Sequence, residues 1–116
     1  MGQAASETIG YSQISGVGGQ VDFVRGAAMA KNGRSILAFP STAAKGTVSK
    51  IVPLLDEGAA VTTSRNDVDY VITEYGIAKL SGKTLKQRAH ALIEIAHPNF
   101  RDELKKVYER FHCSYE

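Results

Sequence analysis

Cysteine is almost absent from this chain: Cys113, three residues from the end, is the single one among 116 residues. That excludes an intramolecular disulfide and any CxxC or cysteine-rich zinc site. An excess of charge of one sign is lacking too, since 14 lysines and arginines stand against 12 aspartates and glutamates, for a net charge of +2. Nucleic-acid binders carry a stronger basic footprint than this, although a local basic patch could still serve a small anionic ligand. No apolar run approaches the roughly 20 residues that cross a bilayer. The start, Met1-Gly2-Gln3-Ala4-Ala5-Ser6-Glu7, has neither the basic nor the apolar region of a secretory signal. Internal repeats, low-complexity stretches and interdomain linkers are missing as well. The expectation is a cytoplasmic protein that engages neither nucleic acid nor membrane.

What is present is one domain's worth of chain with 43% apolar residues, enough to bury a core without disulfides. It is short for a complete metabolic enzyme. Glycines cut it into brief segments. Thr8 to Ser15 reads as irregular or extended, and Gly16-Val17-Gly18-Gly19 as a sharp turn. From Gln20 to Lys31 the apolar positions follow a helical period, and Asn32-Gly33 ends that helix. Ser35 to Phe39, closed by Pro40, reads as a short buried strand. Thr47 to Val52, Ala60 to Thr63 and Tyr70 to Thr73 read as further strands, and Ile77 to Leu80 as a short helix. Thr84-Leu85-Lys86-Gln87 is a capping box. It opens a helix with Leu85, Ala89, Leu92, Ile93 and Ala96 on one face, and His97 beside Pro98 suits a helix C-cap. Phe100, Leu104, Val107, Tyr108 and Phe111 form a last apolar stripe, spaced 4, 3, 1 and 3 apart. The pattern implies an α/β domain: an open, mainly parallel sheet flanked by helices, with two amphipathic helices at the C-terminal end.

Two segments could carry chemistry. Gly16-Val17-Gly18-Gly19-Gln20 places three glycines in four positions ahead of a helix. Exposed amides and the helix dipole there favour an anion or oxyanion, while the same glycines equally suit a tight turn between closely packed elements. The dinucleotide fingerprint is excluded because it would need glycine where Val21 stands, and no Gly-Lys-Ser/Thr follows to make a phosphate loop. Thr73-Glu74-Tyr75-Gly76 follows an apolar strand, where open α/β sheets usually hold ligands. The Glu74 carboxylate could position a substrate or exchange protons there, or simply cap the next turn. Arg65, in the loop Ser64 to Asp69, could meet a phosphate or carboxylate. That loop and Ser41 to Gly46 also read as solvated turns, and Lys83, Lys86 and Arg88 as a solvated helix face. His90, His97 and His112 have no carboxylate at ligand spacing, so no metal site is expected.

Taken together, GVGGQVDFVRGA (Gly16 to Ala27), FPSTAAKGTVSKIVP (Phe39 to Pro53) and the long stretch from Val61 to Leu104, which includes TEYGIAKLSGK and IAHPNFRDEL, resemble the C-terminal part of the acetyl-CoA hydrolase/transferase family. The resemblance implies that residues 1–116 are the C-terminal portion of that family's C-terminal domain, with no second domain in this chain. It implies a longer enzyme that moves CoA between an acyl-CoA and a short-chain carboxylate such as 4-hydroxybutyrate, butyrate or acetate. A glutamate attacks the acyl-CoA to give a mixed anhydride, and the departing thiolate returns to form a glutamyl-CoA thioester. The family places that nucleophile upstream of the glycine segment, so it is expected to lie outside this chain, and Glu7, Glu57 and Glu94 are not promoted into its place. Gly16, Val17, Gly18, Gly19 and Gln20 carry over as part of the oxyanion and CoA environment, and Glu74 as an auxiliary carboxylate near the acyl group. Coenzyme A is then a substrate, with no resident cofactor. The partners are acyl-CoA, short-chain carboxylates and the N-terminal domain of the same enzyme, and a homodimer of the full-length enzyme is compatible. The chain alone is expected to be inactive. The alternatives are a free-standing, non-catalytic CoA- or ligand-binding module and an acyl-CoA hydrolase of the same family.

Overall fold

A computed structural model describes residues 1–9 and 11–112; Cys113 lies outside the described residues. The chain runs through β1 (Thr8–Ile9), β2 (Ser12–Gln13), α1 (Gln20–Met29), β3 (Ile36–Ala38), β4 (Thr42–Ala43), β5 (Val48–Ser49), β6 (Tyr70–Thr73), β7 (Gly76–Lys79), α2 (Leu85–Glu94) and α3 (Pro98–His112). The largest sheet has the order β3-β6-β7. β3 runs parallel to β6, with Leu37 opposite Val71, and β6 runs antiparallel to β7, with Val71 opposite Ala78. The short pairs β1–β2 and β4–β5 are antiparallel. The α/β class therefore holds, with the two expected C-terminal helices. The parallel character is confined to β3–β6, because the hairpin joining β6 to β7 reverses the chain.

That hairpin corrects one expectation. Ile77 to Leu80 is not a short helix: Gly76 to Lys79 is a strand, and Leu80 follows it. The two-residue turn Glu74-Tyr75 leads into Gly76 at φ 145°, a conformation that strains any residue with a Cβ. From there Ala78 and Leu80 point inward while Ile77 and Lys79 are exposed, which is the period of a strand. Ile77, apolar on the open face, is what disguised the alternation.

Other strands are shorter or more open than expected. Ser35 to Phe39 is not fully buried: β3 lies at the sheet edge, and Ile36 is 53% exposed. Thr47 to Val52 pairs only over Val48–Ser49, since its partner β4 is two residues long. Ala60 to Thr63 is no strand; Thr63 alone makes a bridge, to Ala4. By contrast, the capping box of α2 is fully formed, with the Thr84 side chain accepting from the Gln87 N–H and the Gln87 side chain accepting from the Thr84 N–H. α1 forms as anticipated but ends at Met29 rather than Lys31, because Ala30 turns extended, and Asn32 follows in the left-handed region at φ 59°.

The core sits between the β6–β7 hairpin, α2 and α3. Val68, Val71, Ala78, Leu80, Ile93, Ile95, Ala96 and Leu104 are buried together with Ile51. Phe100 and Tyr108 pack against them, as their place in the α3 stripe requires, whereas Phe111 is exposed. His97 is not the C-cap of α2. It stands at the N-cap of α3, where its Nδ1 accepts from the Asn99 N–H at 3.1 Å. Pro98 takes the first helical position, which needs no N–H and suits its fixed φ.

Candidate functional site

Glu74 and Ser41 come together at one end of the sheet. Ser41 follows Pro40, just past β3, while Glu74 occupies the β6–β7 turn, so the parallel pairing of β3 with β6 delivers both to the same edge. The Ser41 N–H donates to both carboxylate oxygens of Glu74, at 2.9 and 3.2 Å. The Ser41 hydroxyl donates to Oε1. Ser41 is fully buried, whereas Glu74 is exposed. The carboxyl of Glu74 is accordingly held below its ordinary pKa. The Ser41 hydroxyl is the first cause, followed by the Ser41 N–H, the backbone N–H of Glu74 itself and the nearby charge of His97, with desolvation opposing.

The turn that carries Glu74 is fastened from behind. The Thr73 hydroxyl donates to the Ile95 carbonyl at 2.6 Å and accepts from the Tyr75 N–H at 3.1 Å, so one buried side chain ties the turn to the junction of α2 and α3. From that junction His97 meets the Tyr75 ring edge-on, with ring centroids 5.4 Å apart. Arg101 lies over the same ring at 5.4 Å, its Nε donating to the Ala96 carbonyl at 2.9 Å. Phe100 closes the group against His97 at 6.1 Å.

The glycine segment lies elsewhere. Gly16 to Gly19 is exposed, Gly18 adopts φ 58°, and the segment opens directly into α1, as its sequence implied. Gln20 is half-buried, and its side-chain carbonyl accepts from the Ser6 hydroxyl at 2.7 Å. Gln20 also lines a mainly apolar cleft of about 690 Å³ whose other walls include Leu37, Phe39, Ile51 and the first six residues. Among the described residues, no hydrogen bond, ion pair or ring contact joins Glu74 to Gly16–Gln20.

The remaining candidates have structural partners. Asp67 pairs with Arg25 at 3.2 Å and accepts from the Ser64 hydroxyl, and the Arg65 carbonyl accepts from Arg88. His90 packs against the Tyr108 ring. Among the described residues no three His, Cys, Asp or Glu side chains group to hold a metal, and no helix is long and apolar enough to cross a membrane. The sequence reading missed Ser41 as a partner of Glu74, as well as the grouping of His97, Tyr75 and Arg101. Ser41 lies 33 positions from Glu74, and nothing in the local pattern of either segment signals the contact.

Related proteins place this geometry in context. The chain is 66% identical over 110 residues to the 4-hydroxybutyrate coenzyme A transferase of Clostridium kluyveri, covering 95% of this chain and 26% of that protein. It is 54% identical to a succinyl-CoA:cyclohexane-1-carboxylate CoA transferase of Geobacter metallireducens, again covering 95% of this chain but 25% of the relative. The crystal structure of RipA from Yersinia pestis superposes with a TM-score of 0.88 at 51% identity, covering 96% of this chain and 25% of that one. The chain thus spans about a quarter of the length of the relatives it matches. Residues 1–108 match the acetyl-CoA hydrolase/transferase C-terminal domain, and the chain belongs to that family.

Proposed function

We propose that the chain works as the C-terminal part of a CoA-transferase that moves CoA between an acyl-CoA and a short-chain carboxylate such as 4-hydroxybutyrate, butyrate or acetate. The observation that carries this reading is the 66% identity over 110 residues to a 4-hydroxybutyrate coenzyme A transferase. The nucleophilic glutamate is supplied by a segment outside these residues. Glu7 is buried and offers no free carboxylate. Coenzyme A is substrate here, not a resident cofactor. The N-terminal domain of the same enzyme is the partner, and the cytoplasm the site of action.

In this reading Glu74 positions rather than shuttles protons. A carboxyl held below its ordinary pKa stays ionised at neutral pH and is a weak base. Its role is to fix a hydrogen-bonding group of the substrate beside the reacting acyl carbon. The amides of Gly16 to Gln20 contribute to the oxyanion and CoA surroundings.

The test is a chimaera in which this chain replaces the matching quarter of the Clostridium kluyveri enzyme. It should transfer CoA from acetyl-CoA to 4-hydroxybutyrate, and Glu74→Gln should lower kcat by about 100-fold, within the range that one positioned polar group contributes. An unchanged kcat with intact fold would return Glu74 to a structural role. Transfer by the isolated chain would overturn the claim that its nucleophile lies elsewhere. Release of CoA without any carboxylate acceptor would identify a hydrolase.

A further inference from the structure

The imidazole of His97 has two contacts of different kinds. Its Nδ1 accepts from the Asn99 N–H and caps α3, so in the neutral ring the proton sits on Nε2. It meets the rings of Tyr75, the residue after Glu74, and of Phe100, both in T-shaped contact. A capping side chain needs only an acceptor atom; asparagine or serine would serve as well. The ring is surplus to that task, and it lies against the turn that carries the carboxylate.

We propose that His97 is a positioning residue for Glu74: anchored by the helix it caps, its ring braces Tyr75 and thereby keeps the Glu74 carboxylate on Ser41. The chain of contacts is continuous. α3 fixes His97 through Asn99, His97 and Arg101 both contact the Tyr75 ring, and Tyr75 shares its turn with Glu74. Thr73 holds the start of the turn independently, by its bond to Ile95. The same hydroxyl accepts from the Tyr75 N–H and so holds the turn's backbone, which leaves the Tyr75 ring as the part of the turn that His97 and Arg101 set. The groups that face the carboxylate are Ser41 from the end of β3 and, by its charge, His97 from the helix junction, while Arg101 from α3 lies over the neighbouring Tyr75 ring. The functional meaning of this brace rests on the reading of Glu74 given above, but its existence can be measured without turnover.

The experiment uses the chain itself. Hydrogen exchange of the Ser41 amide is followed by NMR at neutral pH, and the Glu74 side-chain carboxyl is titrated through its carbon shift. His97→Asn keeps an acceptor for the Asn99 N–H and removes the ring. The expected result is that the α3 amides stay protected, while Ser41 loses protection by about tenfold, the signature of a local rather than global opening. The Glu74 midpoint rises as well, but the charge of His97 itself lowers it, so the rise that reports on the brace is the one in Tyr75→Leu, which keeps the imidazole. Tyr75→Leu should expose the Ser41 amide to the same extent, and the double variant should expose it no more than either alone, because both act on that amide through one contact. Wild-type behaviour of Ser41 and Glu74 in His97→Asn would reduce His97 to a helix cap and overturn the proposal. So would additive effects of the double variant on the Ser41 amide. Should His97→Asn not fold, Tyr75→Leu decides alone: an unchanged Ser41 amide refutes the brace. A braced Glu74 in a chimaera that shows no transferase activity would count against the functional reading and leave the positioning role standing.

Discussion

The two ends of this chain contain apolar residues in similar patterns and use them differently. In the C-terminal region, the β6–β7 hairpin, α2 and α3 enclose a common core in which Leu80 is 0% exposed. In the N-terminal region, α1 contributes a single buried side chain, Val24 at 5%, while Phe23 and Met29 are 82% and 84% exposed. The link from α1 to the rest includes one surface ion pair, Arg25 with Asp67, of a kind worth about 1 kcal/mol or less. Helical periodicity forms a helix in both places. Burial needs a second surface, and among the described residues the C-terminal helices share a common core while α1 buries Val24 alone.

Four measurements can break or sharpen that contrast. Leu80→Ala should cost the most, about 2–5 kcal/mol in denaturant unfolding, because it empties a site with no exposure. A loss below about 1 kcal/mol would mean that the C-terminal core is not what holds the fold. Thr73→Val is next. It keeps the shape but strands the Ile95 carbonyl and the Tyr75 N–H, at a cost of about 1–3 kcal/mol. A neutral Thr73→Val would show that the turn does not depend on its tie to the helix junction. Phe23→Ser should stay within about 0.5 kcal/mol, as expected of an exposed position; a larger loss would show α1 to be packed in solution.

The smallest effect on stability concerns Glu74, whose carboxylate is exposed, and it is a matter of sign. Because its pKa in the folded chain lies below the ordinary value, its contribution is fully present above that ordinary value. It is lost as pH falls through the depressed one. Ser41→Ala removes the leading cause, so the Glu74 midpoint should move upward and the acid dependence of stability should shrink. An unmoved midpoint in a carbon-detected titration would show that Ser41 is not the clamp.

Legibility followed the range of the interaction. The capping box Thr84–Gln87 and the stripe of Phe100, Leu104, Val107 and Tyr108 are local, and both elements form where their spacing puts them. The strand Tyr70–Thr73 was equally plain, as a short apolar run. Ile77 to Leu80 misled because a strand and a short helix place four such residues almost alike. Only pairing with β6 decides between them, and Gly76 and the Glu74-Tyr75 turn make that pairing possible. His97 misled for a related reason: between two helices a cap can serve either, and the contact with Asn99 assigns it to α3. At the candidate site, Glu74 was visible as a carboxylate following a strand, and the glycine segment as a turn into a helix. Ser41 was not, since a serine after a proline is ordinary until a parallel strand pair sets it against a carboxylate.

By itself, then, the sequence determined what single segments can settle. It excluded disulfides, a cysteine-rich zinc site and a long apolar span, and it marked the helices, one central strand and the family motifs. These rest on residue type and on spacings of three to seven positions, which the backbone reads directly. Tertiary structure alone decided which apolar stripe is buried, which way the chain runs after Glu74, and that Ser41 meets Glu74 while His97 and Arg101 meet the neighbouring Tyr75. Those outcomes depend on strand pairing and helix docking between segments tens of residues apart, and no local pattern encodes the partner.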